Sequence, residues 1–135
     1  MILVKIAAAF DLTLAGLLTR AETGGERICR AANRAEWRDP DTGYVRSQTF
    51  RHPDHPIELV EVSLPAGRSV TLPAASYAHI RQVVWVREGV LTLIEGGRRC
   101  DLAPGDAYGF GPPADTTFAN ETALPVAYVV ALARS

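Results

Sequence analysis

Apolar and polar positions divide the chain into an N-terminal helical stretch and a long β region. From Ile2 to about Glu22, Ile2, Ile6 and Phe10 recur on one face, Ala7 to Ala9 favour helix, and Leu14, Leu17 and Leu18 repeat the spacing. This predicts two short helices. They break at Asp11-Leu12-Thr13, where Thr13 is placed to cap the second, and Thr23-Gly24-Gly25 ends the region as a linker. After Arg27, short runs rich in Val, Leu, Ile, Trp and Tyr are set off by Gly, Pro and Asp clusters at roughly ten-residue intervals, the pattern of a sandwich or barrel. The clearest strands run from Ile57 to Leu64, Arg68 to Leu72, Ile80 to Val86, Val90 to Ile94, Ala107 to Phe110, Thr116 to Ala119 and Val126 to Leu132.

Turn chemistry supports that division. In Asp39-Pro40-Asp41-Thr42-Gly43, between Trp37 and Tyr44, proline presets φ, the aspartates bond back to the backbone and glycine accepts positive φ, so a hairpin is expected. Pro65-Ala66-Gly67, Glu88-Gly89, Glu95-Gly96-Gly97 and Pro104-Gly105-Asp106 each fit a reversal between strands. No Gly-rich loop opens a helix, so nothing predicts a phosphate loop, and no Ser-His-Asp or Cys-His set is legible.

With 135 residues, 47% of them hydrophobic, the chain is sized for one compact domain and a short N-terminal piece. Eight cationic residues face seven anionic ones before Pro56, and six face eight from it onward, so neither half has the basic excess of a nucleic-acid surface. Cys29 and Cys100 lie far apart with no framework pattern and are expected as reduced thiols. The start lacks the basic n-region and apolar core of a signal peptide, and no apolar run approaches the ~20 residues that span a bilayer. A cytoplasmic chain without membrane contact is expected.

The stretch from Gly105 to Asn120 has the spacing of a family motif, G(x)5PxG(x)2H(x)3N: Gly105 and Asn120 fall in place, Gly111 and Pro113 replace Pro and Gly, and Thr116 replaces the histidine. With it, the region from about Ile57 to Leu132 resembles the cupin superfamily of small jelly-roll barrels, whose histidines bind a metal. In the first cupin motif, His-x-His is followed by glutamate and then glycine. Counting back from Gly89 puts Gln82 at the glutamate, and either Tyr77-Ala78-His79 or His79-Ile80-Arg81 at the His-x-His, so one histidine is missing either way. A divalent ion wants three or four imidazole or carboxylate ligands, whereas this set offers an imidazole, an amide and a hydroxyl. No metal or other cofactor is therefore expected. His52-Pro53-Asp54-His55 reads as a surface connection rather than a metal site.

Leu3 to Leu18 resembles the last two helices of a repressor-like (XRE/Cro-type) helix-turn-helix domain, with the recognition helix absent; an amphipathic cap on the barrel is the alternative. The combined resemblance is to bacterial regulators with a repressor-like head and a cupin sensor. It implies a mainly β, double-stranded β-helix (jelly-roll) fold, with residues 1–22 as a helix-turn-helix remnant, 23–27 as linker and 28–135 as the barrel.

Its implied role is to bind a small-molecule effector and to form a homodimer, with DNA contacted only by a longer form carrying the missing helices. Tyr77, His79, Gln82, Thr116 and Phe118 are the candidate ligand-binding residues, since strand alternation sends every second residue inward. Tyr77 and His79 share a face if that stretch is extended, and Gln82 joins them only through a bulge. His79 is equally readable as a neutral imidazole bonded to backbone. Trp85, Tyr108 and Phe110 are expected to stabilise before they recognise, and Arg81, Arg87, Arg98 and Arg99 read as solvated charges. The rival is a small cupin enzyme (dioxygenase, isomerase or lyase) with a degenerate metal site, using His79 with Tyr108 or Tyr77 for acid–base work with or without metal.

Overall fold

The computed structural model describes residues 27–134, so the expected N-terminal helices and most of the linker lie outside the described residues. Ten strands follow in order: β1 (Glu36–Arg38), β2 (Val45–Phe50), β3 (Ile57–Leu64), β4 (Ser69–Leu72), β5 (Ile80–Glu88), β6 (Leu91–Glu95), β7 (Arg98–Leu102), β8 (Ala107–Gly109), β9 (Thr116–Ala119) and β10 (Val126–Arg134). Short 3-10 turns occupy Ala31–Asn33 and Ala74–Tyr77. All seven expected strands are present to within two residues at either end, and β1, β2 and β7 are added. Among the described residues no helix is long and apolar enough to cross a membrane.

The strands form a six-stranded sheet in the order β1-β2-β3-β10-β5-β8 and a four-stranded sheet in the order β4-β9-β6-β7, antiparallel throughout. The two sheets pack face to face as a jelly roll. Strand alternation explains which residues fill the space between them. In β10, Val126, Tyr128, Val130 and Leu132 are buried while Ala127, Val129, Ala131 and Ala133 lie on the other face. Glu58, Val60, Val62 and Leu64 of β3 are the register partners of the buried four.

One end of the interior is wholly apolar: Leu64, Val84, Val86, Leu91 and Val126 have no exposed surface. Each such side chain contributes about 1.5–3 kcal/mol relative to exposure, so this end anchors the domain. An aromatic series joins the two sheets. Tyr108 meets Phe110 edge-on with centroids 5.4 Å apart, Phe110 tilts against Phe118 at 5.9 Å, and Phe118 stacks on Tyr128 at 5.7 Å and 4°.

The turns follow the expected chemistry. Asp39 is buried and accepts bonds from Asp41 N at 3.2 Å and Thr42 Oγ1 at 2.6 Å, while Gly43 has φ +76°. Gly89, where the chain passes from one sheet to the other, has φ +75°, and a Cβ there would lie 2.6 Å from the Pro125 carbonyl oxygen. Cys29 and Cys100 are both free thiols.

Candidate functional site

The end of the interior away from the apolar layer is polar, and strand parity assembles it. Ile80, Gln82, Val84 and Val86 alternate inward along β5, so Gln82 reaches the interior without any bulge. Thr116 begins β9, fully enclosed at 1% exposure, opposite Leu72 of β4 and Glu95 of β6. Phe118 follows on the same face but is held within the aromatic series, so it walls the site as a core residue.

Tyr77 arrives differently from expectation. Residues 74–77 are a 3-10 turn, seated by Asp115 Oδ1, which accepts from Ala74 N at 2.8 Å. Pro73 presets the entry to the turn and the short alanine side chains permit it. The stretch Tyr77 to His79 is therefore not extended, and its two candidates part company. Tyr77 is buried, whereas His79 is exposed in the bend before β5. The placement of His79 beside Tyr77 on one inward face is thus corrected: the turn, not strand parity, decides which of them goes inside.

The Tyr77 hydroxyl sits against Gln82 and Thr116 without completing a hydrogen bond to either. Thr116 Oγ1 spends its proton on the Ala114 carbonyl at 3.1 Å. Burial pushes the Tyr77 phenol up to about 12, with Gln82 and Thr116 opposing the shift. Burial likewise raises Tyr128 and Tyr44, the latter opposed chiefly by the adjacent Arg46 guanidinium.

Arg46 and Gln48 belong to β2, the strand that periodicity did not reveal. They pair with Val62 and Val60, which are buried, so both lie on the inner face of the large sheet with Tyr44 before them. The hairpin turn ending at Gly43 was the available signal, since it demands a strand beginning near Tyr44. Gln48 Nε2 is buried without a hydrogen-bond partner. Nearer the sheet end, Glu58 at 4% exposure is flanked by Arg134 Nε at 2.9 Å and Arg51 Nη1 at 3.5 Å. Burial lowers the Arg51 pKa, with Glu58 opposing.

Other expectations sort as follows. Tyr108 donates to Glu95 Oε1 at 2.5 Å, and that bond raises its pKa. Trp85 is 48% exposed on the outer face of the large sheet. Arg81, Arg87, Arg98 and Arg99 are all exposed, Arg87 and Arg99 being bonded to Glu61 and Glu121. His52 departs from the surface reading: it is buried, with Nδ1 accepting from Asp54 N at 3.1 Å and Nε2 left without a partner.

A scan against family models finds none that matches, and a comparison with curated proteins finds no similar sequence. Solved structures, in contrast, resemble the chain widely. A RmlC-like cupin from Shewanella frigidimarina superposes with a TM-score of 0.65 at 17% identity, covering 82% of this chain and 92% of that one. The fold is a cupin barrel. The Cupin_2 domain of an XRE family transcriptional regulator from Enterobacter cloacae matches at TM-score 0.55 and 18% identity, over 59% of this chain and 83% of that one. An HTH_3 family transcriptional regulator from Vibrio cholerae matches at 0.64 and 16%, over 78% of this chain and 57% of that one.

A cupin fold implies a metal at the motif histidines, and the residues here do not fit one. Thr116, Gln82 and Tyr77 line the interior as neutral donors, His79 stands outside, and among the described residues no three His, Cys, Asp or Glu side chains gather as ligands. What the arrangement can do is hydrogen-bond an organic molecule.

Proposed function

We propose that the barrel binds a small-molecule effector and, as a homodimer, forms the sensing part of a cytoplasmic transcriptional regulator. The observation that carries this reading is the makeup of the polar interior. Of the positions that the cupin resemblance gives to metal ligands, Gln82, Thr116 and, in one alignment, Tyr77 are buried or half-buried and uncharged, while His79 is exposed, and the Tyr77 hydroxyl is still unbonded. Such groups recognise an organic molecule by hydrogen bonds and hold a divalent ion poorly. The likeness of fold to domains of XRE family and HTH_3 family regulators supports the regulatory assignment.

In this reading residues 1–22 belong to a helix-turn-helix part, and DNA is bound only by a longer form with a recognition helix. The effector favours one arrangement of the dimer and so changes the spacing of two recognition helices. The outer face of the large sheet offers the dimer surface. Val83 and Trp85 are 43% and 48% exposed there, paired with Gly109 and Ala107 on one side and Ala131 and Val129 on the other.

The enzyme reading needs His79 with Tyr108 or Tyr77 as acid and base. His79 is exposed in the turn before β5 and the Tyr108 hydroxyl is engaged in donating a hydrogen bond to Glu95, so no observation favours it. A thermal-shift screen of the full chain with organic acids, amines and sugars tests the proposal, alongside metal analysis of protein purified without chelators. Ligand at a hundredfold over Kd stabilises by about 2.7 kcal/mol, which is several degrees in Tm. Stoichiometric iron, zinc, manganese or nickel with turnover, or a screen in which nothing moves Tm, overturns it.

A further inference from the structure

Arg46 is half-buried on the inner face of β2, with Trp37 on one side in register and the buried Val62 on the other. Among the described residues it has no ion-pair partner. Arg51 and Arg134 share Glu58, Arg34 and Arg87 share Glu61, and Arg99 has Glu121, while the other described arginines without an ion pair, Arg27, Arg30, Arg38, Arg68, Arg81 and Arg98, are exposed. The Arg46 guanidinium lies by the Tyr44 hydroxyl and within electrostatic range of the Tyr77 and Tyr128 phenols, which places it at the polar end of the barrel interior.

Two further donors there lack partners; the other buried atoms without one, Arg51 Nη1, His52 Nε2 and Glu58 Oε2, belong to the β2–β3 connection and the start of β3. Gln48 is two positions along the same inner face, and its Nε2 is buried with no acceptor. Tyr77, 8% exposed, has a buried hydroxyl with no bond. A guanidinium, an amide N–H and a phenolic O–H are all donors, so the missing partner is an acceptor. Because one donor is a permanent cation, that acceptor is anionic. The half-buried Arg46 charge matches one negative charge, and the planar fork of arginine matches a carboxylate. A phosphate dianion would need a second free cation, and the other arginines toward this end are committed to Glu58. The Trp37–Tyr44 pair, edge-on at 5.7 Å, and the Phe118–Tyr128 stack offer apolar surface for an organic body.

We propose that the effector is a small organic monocarboxylate, its carboxylate received by Arg46 inside the barrel and completed by Gln48 and Tyr77. This rests on the reading of the barrel as an effector-binding domain.

Calorimetric titration of the full chain with acetate, benzoate, benzamide and inorganic phosphate tests it, repeated with Arg46→Met, which keeps the apolar stem and removes the charge. At least one carboxylate is expected to saturate a single site, with benzamide and phosphate much weaker. Arg46→Met is expected to weaken it by about ten- to a hundredfold, the range for a hydrogen bond to a charged group. The unliganded variant should melt no lower than the parent, because Arg46 closes no ion pair in the fold. Carboxylate binding unchanged by Arg46→Met, tighter binding of phosphate or benzamide, or no saturable carboxylate at all overturns the assignment. So does a variant that melts far below the parent, since Arg46 is then a structural group. If neutral or cationic compounds move Tm while no carboxylate binds, the effector-binding reading stands and this inference alone falls. If nothing moves Tm, both fall.

Discussion

Asn120 is the sharpest lever on the fold. It is 1% exposed and uses every hydrogen-bonding position it has: Nδ2 donates to Leu64 O at 3.1 Å and Leu124 O at 2.7 Å, and Oδ1 accepts from Thr122 N at 3.0 Å and Thr122 Oγ1 at 2.7 Å. It thereby ties the β9–β10 connection to the end of β3. In Asn120→Ala the single Thr122 hydroxyl proton, released from Asn120, is free for the Leu124 carbonyl at 2.9 Å, and the Thr122 groups lie near solvent. The loss therefore concentrates at the side of Leu64, a residue with no exposed surface. At about 1 kcal/mol net per bond and about 1–3 kcal/mol for a stranded buried group, the variant should lose roughly 2–4 kcal/mol. That lowers Tm by roughly 10 °C for a domain of this size.

Asn120→Asp is isosteric and separates hydrogen bonding from packing. Its second carboxylate oxygen would face two carbonyl oxygens where the amide donated. Burial and that repulsion raise the folded-state pKa above the unfolded value of about 3.9. The penalty is therefore absent below about pH 4 and grows as pH rises through the folded-state pKa. At neutral pH Asn120→Asp should be less stable than Asn120→Ala. Near pH 4 the order should reverse, because the protonated acid donates one bond. Urea denaturation of both variants, each against the parent at the same pH, reads this directly. A loss below about 0.5 kcal/mol for Asn120→Ala, or a gap between variants that ignores pH, would refute the argument.

Three further outcomes follow from single contacts. Tyr77→Phe deletes an unbonded hydroxyl, so stability near neutral pH should hold or rise. The parent's folded phenol titrates near 12 against about 10 unfolded, so its contribution is intact below pH 10 and is lost as pH rises toward 12. Urea melts at pH 8 and 11 should show the variant relieved of about 1.4 kcal/mol of alkaline destabilisation, one pKa unit's worth at that pH, and equal alkaline losses in both proteins would count against the buried phenol. Gly89→Ala meets Pro125 O at 2.6 Å in a left-handed conformation, so it should cost about 1–3 kcal/mol by chemical denaturation, with a neutral result placing the turn wrongly. Trp85→Arg, on the outer sheet face, should convert a dimer into a monomer in light scattering without lowering Tm of the monomer; an unchanged mass moves the interface elsewhere.

Legibility in the sequence followed the distribution of apolar residues. β3, β5 and β10 alternate or concentrate Val, Leu and Ile, and their expected bounds are within two residues of those observed. β7 was missed because it is an edge strand of the small sheet with Arg98, Arg99 and Asp101 exposed, leaving only Cys100 and Leu102 to signal an inner face. β1 and β2 form the hairpin expected from the Asp39–Gly43 turn, but periodicity gave β2 no bounds, because its inner face carries Tyr44, Arg46 and Gln48, so alternation brings polar groups inward and the hydrophobic pattern vanishes. The parity puzzle around Gln82 dissolved once residues 74–77 formed a 3-10 turn, which a three-residue motif gap could not reveal. Strand periodicity reports where a chain buries apolar surface, so a binding interior is the part it registers least.

Buried polar groups of this barrel differ in how fully they are bonded, and for those at the polar end the difference bears on their purpose. Asn120 and Asp39 lie in connections between strands and are richly bonded, and Thr92 Oγ1 donates to Asp101 at 2.8 Å. Their hydrogen bonds explain why the fold keeps them. Tyr77 and Gln48 are enclosed at the polar end and unbonded, each at a cost of about 1–3 kcal/mol, and Arg46 adds a charge without a counterion among the described residues. Hydrophobic substitutes of similar volume would stabilise the folded chain more than these side chains do. Groups that weaken the free domain yet share one end of its interior are accounted for if a bound acceptor completes them, and the stability they forgo becomes selectivity for the molecule that does so.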